Sequence, residues 1–128
     1  MGLTLTAATA SAGCDAIVDL LDVGSGTAQM TICESDNTVL STHNLNDPAF
    51  AAASSGVATA NTISDATASA TGTAAKCRWY DKDALLTFEG TVGTSGADIN
   101  LNSVSISSGV TVSIEGGDGG GTVTLPLS

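Results

Sequence analysis

From residue 27 onward the chain is divided into short runs of β-branched and hydroxylated residues, which are separated by turn-forming Gly, Asp and Asn. The run Val110-Thr111-Val112-Ser113-Ile114 shows the pattern, because its apolar and hydroxylated side chains alternate and would point to opposite faces of a strand. Many short strands joined by frequent turns are typical of a β-sandwich or a jelly roll. We therefore expect a mainly β, antiparallel β-sandwich or jelly-roll-like fold.

The strand signals extend over the range 27–127 and include two predicted hairpins. The turn Glu34-Ser35-Asp36-Asn37 joins the first two predicted strands, and Asp81-Lys82-Asp83 joins the next pair. Pro126 cannot donate to a ladder, so the final strand is predicted at a sheet edge, after a glycine-rich connection from Glu115 to Gly121. The predicted strands are Thr27–Cys33, Thr38–Asn44, Ala75–Tyr80, Leu85–Val92, Asp98–Leu101, Val104–Ser107, Val110–Glu115 and Thr122–Leu127.

The N-terminal region predicts an arm over residues 1–10 followed by one short helix. Leu3–Thr6 alternates apolar and hydroxylated residues and is predicted as an edge strand. The helix is predicted over Ala12–Val23, with Ser11 as its N-cap and Gly24 as the residue that ends it. Its expected apolar stripe consists of Cys14, Ile17, Leu20 and Leu21. Asp22 lies near the C-terminal end of the predicted helix, where its negative charge interacts unfavourably with the helix dipole. This helix must therefore be stabilised by packing.

Residues 51–75 are a low-complexity segment of Ala, Ser, Thr and Gly. Its alanines favour a helix, whereas its five threonines are β-branched, and Gly56 and Gly72 interrupt it. We expect closely packed strands and loops here, with a helix as the alternative.

Composition limits the size of the core and the choice of partners. The 128 residues suit a single domain, here predicted as one β-sandwich over 1–128. Hydrophobic residues make up 42% of the chain, but this includes nineteen alanines and only four aromatic residues, so the core must use small side chains. The net charge of −10 repels phosphate backbones and anionic lipids, so we expect neither nucleic-acid nor membrane partners.

The cysteines and the first residues suggest a reducing compartment. Three cysteines without a C-x-x-C motif suit buried, reduced thiols, and Met1–Thr6 lacks the cationic and apolar regions of a secretory signal. The spacing of these cysteines and His43 matches no common zinc-ligand pattern. We expect no cofactor and no metal.

Catalytic motifs are weak in this chain. Gly93-Thr94-Ser95-Gly96-Ala97 fails the last position of a nucleophile elbow, and Asp81-Lys82-Asp83 is followed by residues that cannot continue a calcium loop. His43 is predicted on a strand surface. We expect no enzyme, although a glycan esterase or hydrolase with paired carboxylates stays open as a rival.

A basic stripe is the feature that most suggests an interface. All three cations, Lys76, Arg78 and Lys82, lie within seven residues, and in a strand Lys76 and Arg78 share a face with Tyr80. Cys77 and Trp79 then point to the opposite face. Arg and Tyr are enriched at interface centres, so these residues are candidate contacts with another protein. The alternative is that they face water and pair with local carboxylates.

Five motifs follow one another along the chain: Asp47-Pro48-Ala49-Phe50, Gly56-Val57-Ala58-Thr59-Ala60-Asn61-Thr62-Ile63, Ala70-Thr71-Gly72-Thr73-Ala74, Arg78-Trp79-Tyr80-Asp81 and Phe88-Glu89-Gly90-Thr91-Val92-Gly93-Thr94-Ser95-Gly96-Ala97-Asp98-Ile99. In this order they resemble small virion structural proteins of tailed bacteriophages and prophages. The resemblance implies a capsid-associated role, such as a head decoration (cement) protein or a collar or tail accessory. It implies a place in the virion, which assembles in the bacterial cytoplasm.

From the residues and the resemblance together we expect a decoration protein that binds the head lattice as a homo-oligomer. Its expected partners are the major capsid protein or neighbouring virion proteins. Strand addition to a neighbour would use the terminal segments around Leu3 and Leu5 and around Val123 and Leu125. The rival within phage biology is a tail, collar or fibre accessory that contacts a host glycan through Trp79 and Tyr80.

Overall fold

A computed structural model describes residues 4–114 and 122–124 of the chain, the latter as backbone. The predictions for Leu3, for the connection 115–121, and for Leu125 and Pro126 lie outside these residues. The described chain is mainly β, with one short α-helix. Its strands are β1 (Gln29–Cys33), β2 (Val39–Asn44), β3 (Val57–Thr59), β4 (Ala66–Thr67), β5 (Gly72–Thr73), β6 (Lys76–Tyr80), β7 (Leu86–Gly93), β8 (Ile99–Asn100), β9 (Ser105–Ile106), β10 (Thr111–Val112) and β11 (Thr122–Thr124).

The helix α1 spans Ala7–Asp19 and continues into a 3-10 turn at Leu20–Asp22, so the predicted start at Ala12 is wrong. Thr6, not Ser11, is the N-cap, and its hydroxyl accepts a hydrogen bond from the Thr9 N–H at 3.2 Å. The alanines at 7, 8 and 10 favour helix, so they extend it towards the N-terminus.

The predicted arm and edge strand are also wrong over their described part, residues 4–10. Residues 4–6 form no strand, and 7–10 are helical, so Leu5 lies just before the helix cap. Ser11 is a helical residue whose hydroxyl accepts from the Gly56 N–H at 3.0 Å. The apolar stripe is shifted as well, because Val18 is buried in place of Ile17, and Leu20 is exposed.

The largest sheet has five strands in the order β2-β1-β6-β7-β8. The two predicted hairpins, β1–β2 and β6–β7, are confirmed, and β1 pairs with β6 to join them. β8 adds in parallel to β7, so the sheet is mixed and not purely antiparallel. This topology places β6 at the centre of the sheet.

The remaining strands of the described chain form three two-stranded ribbons, β4–β10, β3–β11 and β5–β9, and no second continuous sheet. Each ribbon strand has two or three residues, because turns and glycines interrupt the chain before a longer ladder can form. Residues 51–75 contribute three of these strands and no helix, so the strand-and-loop interpretation of this segment is confirmed.

The core lies on one face of the large sheet and includes a cluster of three aromatic rings. Trp79 of β6 lies 5.4 Å from Phe50 and 5.5 Å from Phe88, measured between ring centroids. Phe50 and Phe88 complete the triangle at 6.4 Å in an edge-on arrangement, a favourable geometry for aromatic pairs. Cys14 of α1 belongs to the same core, so helix and sheet share it.

We predict that Phe50→Ala lowers the free energy of unfolding by about 3–5 kcal/mol, because it removes a buried ring from this cluster. Urea unfolding followed by the fluorescence of Trp79, the one tryptophan of the chain, measures the change. The control Leu85→Ala alters a side chain that is 67% exposed and should change stability by at most about 0.5 kcal/mol. Equal losses in the two variants would contradict this description of the core.

Candidate functional site

The outer face of β6 carries the candidate interface. Cys77 and Trp79 are buried on the inner face, at 0% and 3% exposure, while Lys76, Arg78 and Tyr80 are half-buried on the other. The predicted division of the strand into two faces is therefore confirmed. Lys82 does not share this face, because it lies in the turn that follows the strand.

Each of the three cations contacts a group of its own chain. Lys76 Nζ donates to Asn37 Oδ1 at 2.7 Å, and Lys82 Nζ donates to Asp47 Oδ2 at 3.1 Å. Arg78 Nε lies 2.8 Å from Glu89 Oε1 across the β6–β7 pair. The stripe is therefore partly neutralised by local groups, as the alternative interpretation expects.

Arg78 is the most distinctive residue of this face. Its Nε is shielded from solvent and makes no hydrogen bond among the described residues, so the close Glu89 contact is an ion pair without hydrogen-bond alignment. Its guanidinium carbon also lies 6.0 Å from the centroid of the Tyr80 ring, at the limit of a cation–π contact. The Arg78 side chain thus lies between Glu89 and the Tyr80 ring and remains 24% exposed.

The turn after β6 ends the basic stripe and exposes apolar residues. Asp81 is buried, and its Oδ1 accepts from the N–H groups of Asp83 and Leu85, both at 2.9 Å. This confirms the hairpin-turn interpretation of Asp81-Lys82-Asp83, because that carboxylate serves the backbone of the turn. Leu85 is left 67% exposed, and Leu86, opposite Tyr80 in the ladder, is 38% exposed.

Trp79 and Tyr80, the two aromatic residues considered for glycan contact, lie on opposite faces of the sheet. Trp79 is 3% exposed and belongs to the core, so it cannot stack on a sugar. Tyr80 remains accessible on the outer face.

The terminal segments predicted to add strands to a neighbour differ from each other. Leu5 is exposed but lies in no strand. Val123 lies in β11, and β11 pairs with β3 of its own chain in antiparallel register. One edge of this C-terminal strand is therefore already used within the chain.

A buried Ser–His pair is the polar feature that sequence reasoning missed. His43 is 0% exposed, so its predicted position on a strand surface is wrong. Its Nδ1 lies 2.7 Å from the Ser64 carbonyl oxygen, which can only accept, so Nδ1 carries the proton. Nε2 then accepts from the Ser41 hydroxyl at 2.8 Å.

The sequence carries a partial signal for this pair. Ser41, His43 and the buried Leu45 lie at strand spacing, which would place them on one face. A β-bulge at Leu40 interrupts the alternation of buried and exposed side chains in β2, so that the neighbours Leu40 and Ser41 are both buried.

The Ser–His pair has the geometry of a nucleophile and its base, yet the chain encloses it. Ser41 is 1% exposed, so no substrate reaches its hydroxyl in this conformation. Burial lowers the pKa of His43, although its Ser64 hydrogen bond and the charge of Asp65 act in the opposite direction. The pair therefore links β2 to the segment around Ser64 as a structural contact.

An open depression of about 410 Å³ lies beside the stripe and is lined in part by Lys76, Glu89, Thr91 and Asp98. The Asp98 carboxylate accepts from both the N–H and the hydroxyl of Thr91, at 2.8 and 3.1 Å. Glu89 pairs with Arg78. Both carboxylates of the depression are thus engaged by the chain itself.

Two further findings concern residues 4–114 and 122–124 only. Within them, no group of three or more His, Cys, Asp or Glu side chains is placed to hold a metal ion. No helix in this part of the chain has both the length and the apolar character needed to cross a membrane.

We predict that the chain loses stability as the pH falls below about 6.5, the ordinary pKa of histidine. The folded state has the lower His43 pKa, so the unfolded state binds more protons below this pH and is favoured there. Urea unfolding between about pH 7.5 and 5.5 measures the slope, and His43→Gln should flatten it because His43 is the one histidine. Identical slopes in the two proteins would refute this assignment.

We also predict that no cysteine reacts with Ellman's reagent in the native protein and that three react in denaturant. All three thiols are 0% exposed, and none forms a disulfide. Burial raises the pKa of Cys77 to about 11, so its reactive thiolate is scarce at neutral pH. Rapid labelling of a thiol in the folded chain would contradict the packing described above.

The chain matches no protein-family model, no curated protein and no solved structure.

Proposed function

We propose that the chain is a non-enzymatic structural protein of a bacteriophage virion: a capsid decoration (cement) protein that binds and stabilises the head lattice. Its partners would be the major capsid protein or neighbouring virion proteins, and it would act as a homo-oligomer assembled in the host cytoplasm. The motifs from Asp47 to Ile99 support the virion assignment by resemblance. The surface of the large sheet supports the docking role.

The observation that carries the proposal is the half-buried Arg78–Tyr80 pair on the outer face of the central strand. A guanidinium already placed against a ring loses little conformational entropy when a partner covers it. Leu86 lies opposite Tyr80 and is exposed, so an apolar contact adjoins the cationic one. Aromatic, Arg and apolar side chains together are the usual composition of an interface centre.

We further propose that the fold is a β-sandwich. The three ribbons would form the second layer of a β-sandwich, packed on the inner face of the five-stranded sheet. Residues from both parts, such as Ala58 of β3 and Trp79 of β6, share one hydrophobic core, which supports this arrangement. A rigid sandwich of this kind would hold the outer face of β6 in a fixed shape for docking.

We expect Arg78→Glu to reduce co-sedimentation with empty heads by at least about tenfold, because it replaces the guanidinium with a carboxylate at the proposed contact. The heads are those of the phage or prophage that encodes the chain. Circular dichroism and gel filtration should show that the variant stays folded.

The matched control is the exchange Arg78→Glu with Glu89→Arg, which restores the local ion pair but reverses its orientation. If Arg78 itself contacts the lattice, the exchange variant stays weak. Full recovery would show that Arg78 acts only through the local pair. A wild-type chain that never co-sediments with heads, and that binds a glycan array, would instead support the tail, collar or fibre alternative.

A further inference from the structure

Three exposed apolar side chains lie on two neighbouring segments, the C-terminus of α1 with the residues after it and the β6–β7 turn. They are Leu20 at 51%, Val23 at 52% and Leu85 at 67% exposure, and we call them the tip patch. Isolated exposed apolar residues need no explanation, whereas a group at one place marks an interaction surface. No sequence signal for an interface included these residues.

Backbone hydrogen bonds bring the three positions together. The Val23 N–H donates to the Leu20 carbonyl at 3.3 Å, and the Lys82 N–H donates to the Val23 carbonyl at 3.0 Å. The Asp81 N–H donates in turn to the Leu85 carbonyl at 3.0 Å. The segment after the helix therefore runs along the β6–β7 turn, which fixes the patch in place.

The surroundings of the tip patch are negatively charged. Asp19 and Asp83 are exposed, and the Asp83 carboxylate lies against Gly24, the residue after Val23. The nearest cation, Lys82, is paired with Asp47 and so adds no net positive charge. Asp83 accepts only a long hydrogen bond from the Ser25 N–H, at 3.5 Å, and among the described residues neither Asp19 nor Asp83 is paired with a cation.

The end of α1 strengthens this negative potential. Asp19 and Asp22 lie at the C-terminus of the helix, where the helix dipole is itself negative, and its last turn contains no basic residue. Asp22 Oδ1 accepts from the Ala49 N–H at 3.0 Å, so the chain itself engages this carboxylate. Asp19 is exposed, and a cation supplied from outside would relieve its unfavourable interaction with the helix dipole.

We infer that the tip patch seats in an apolar depression of the capsid protein that is rimmed by Lys and Arg side chains. This inference rests on the proposed function and adds the contact and the chemistry of the partner. Charge complementarity selects that partner, because the acidic rim formed by Asp19 and Asp83 repels an identical rim on a second copy of a chain with net charge −10. Burial of the tip patch would supply affinity. The attraction between its acidic rim and the Lys and Arg side chains of the partner would add to that affinity and would weaken as the salt concentration rises.

The test compares co-sedimentation of wild type and variants with empty heads at low and high salt. Val23→Ser with Leu85→Ser removes apolar contact and should weaken binding at least about tenfold. Asp19→Asn with Asp83→Asn should weaken binding at low salt and flatten its salt dependence. All four side chains are exposed, so the variants should fold, which circular dichroism checks.

Two controls match these changes away from the tip. Val110→Ser alters an apolar residue of 44% exposure, and Asp36→Asn alters an exposed carboxylate in the β1–β2 turn, at the opposite end of β1. Both should bind as wild type does.

The outcomes separate this inference from the proposed function. If wild type binds heads and the tip variants bind equally well, the inference is overturned and the docking role stands. If wild type does not bind heads, both are overturned. If gel filtration shows a wild-type oligomer that Val23→Ser with Leu85→Ser dissociates, the occupant is a second copy, and the proposed basic partner is rejected.

Discussion

The packing of Trp79 between Phe50 and Phe88 is the contact on which the rest of the structure depends. Large side chains are scarce here, and three of the four aromatic residues meet at one point on the inner face of the central strand. Side chains alternate along a strand, so burying Trp79 turns Arg78 and Tyr80 outward, and a slip of one residue would reverse both faces. One aromatic cluster thus sets the core and the candidate interface together.

The sequence predicted those parts of the fold that depend on local alternation and turn chemistry. The two hairpins follow from the turn residues between their strands, and the two faces of β6 follow from its alternating pattern. The start of the helix was predicted too late, because Thr6 and Ser11 are both good caps and a tertiary contact of Ser11 adds to the helix propensity of the alanines at 7, 8 and 10. Ser11 bonds to Gly56, a residue far away in sequence, and this contact leaves Thr6 as the cap.

Non-local contacts also explain what sequence reasoning missed at the candidate site. His43 is buried because a bulge at Leu40 changes the phase of β2 and because the segment around Ser64 covers its ring. The tip patch arises where two segments that are distant in sequence run side by side, so none of its members stands out alone. The basic stripe was visible because its residues are neighbours, but their pairing with Asn37, Asp47 and Glu89 was not.

The proposed docking role joins two surfaces that differ in charge. The outer face of β6 offers Arg78 and Tyr80, and the tip patch offers apolar side chains within an acidic rim. Leu86 follows Leu85 in the chain and lies opposite Tyr80 in the ladder, so the two surfaces adjoin at this residue. The buried Ser41–His43 pair and the packed core would then give the rigidity that a lattice-binding protein needs.

A particle map of the virion that carries this chain tests the central claim most directly. The account predicts density for the chain on the outside of the head, with the outer face of β6 and the tip patch against the major capsid protein. A map with the chain absent from the head, or with both surfaces facing solvent, would contradict it.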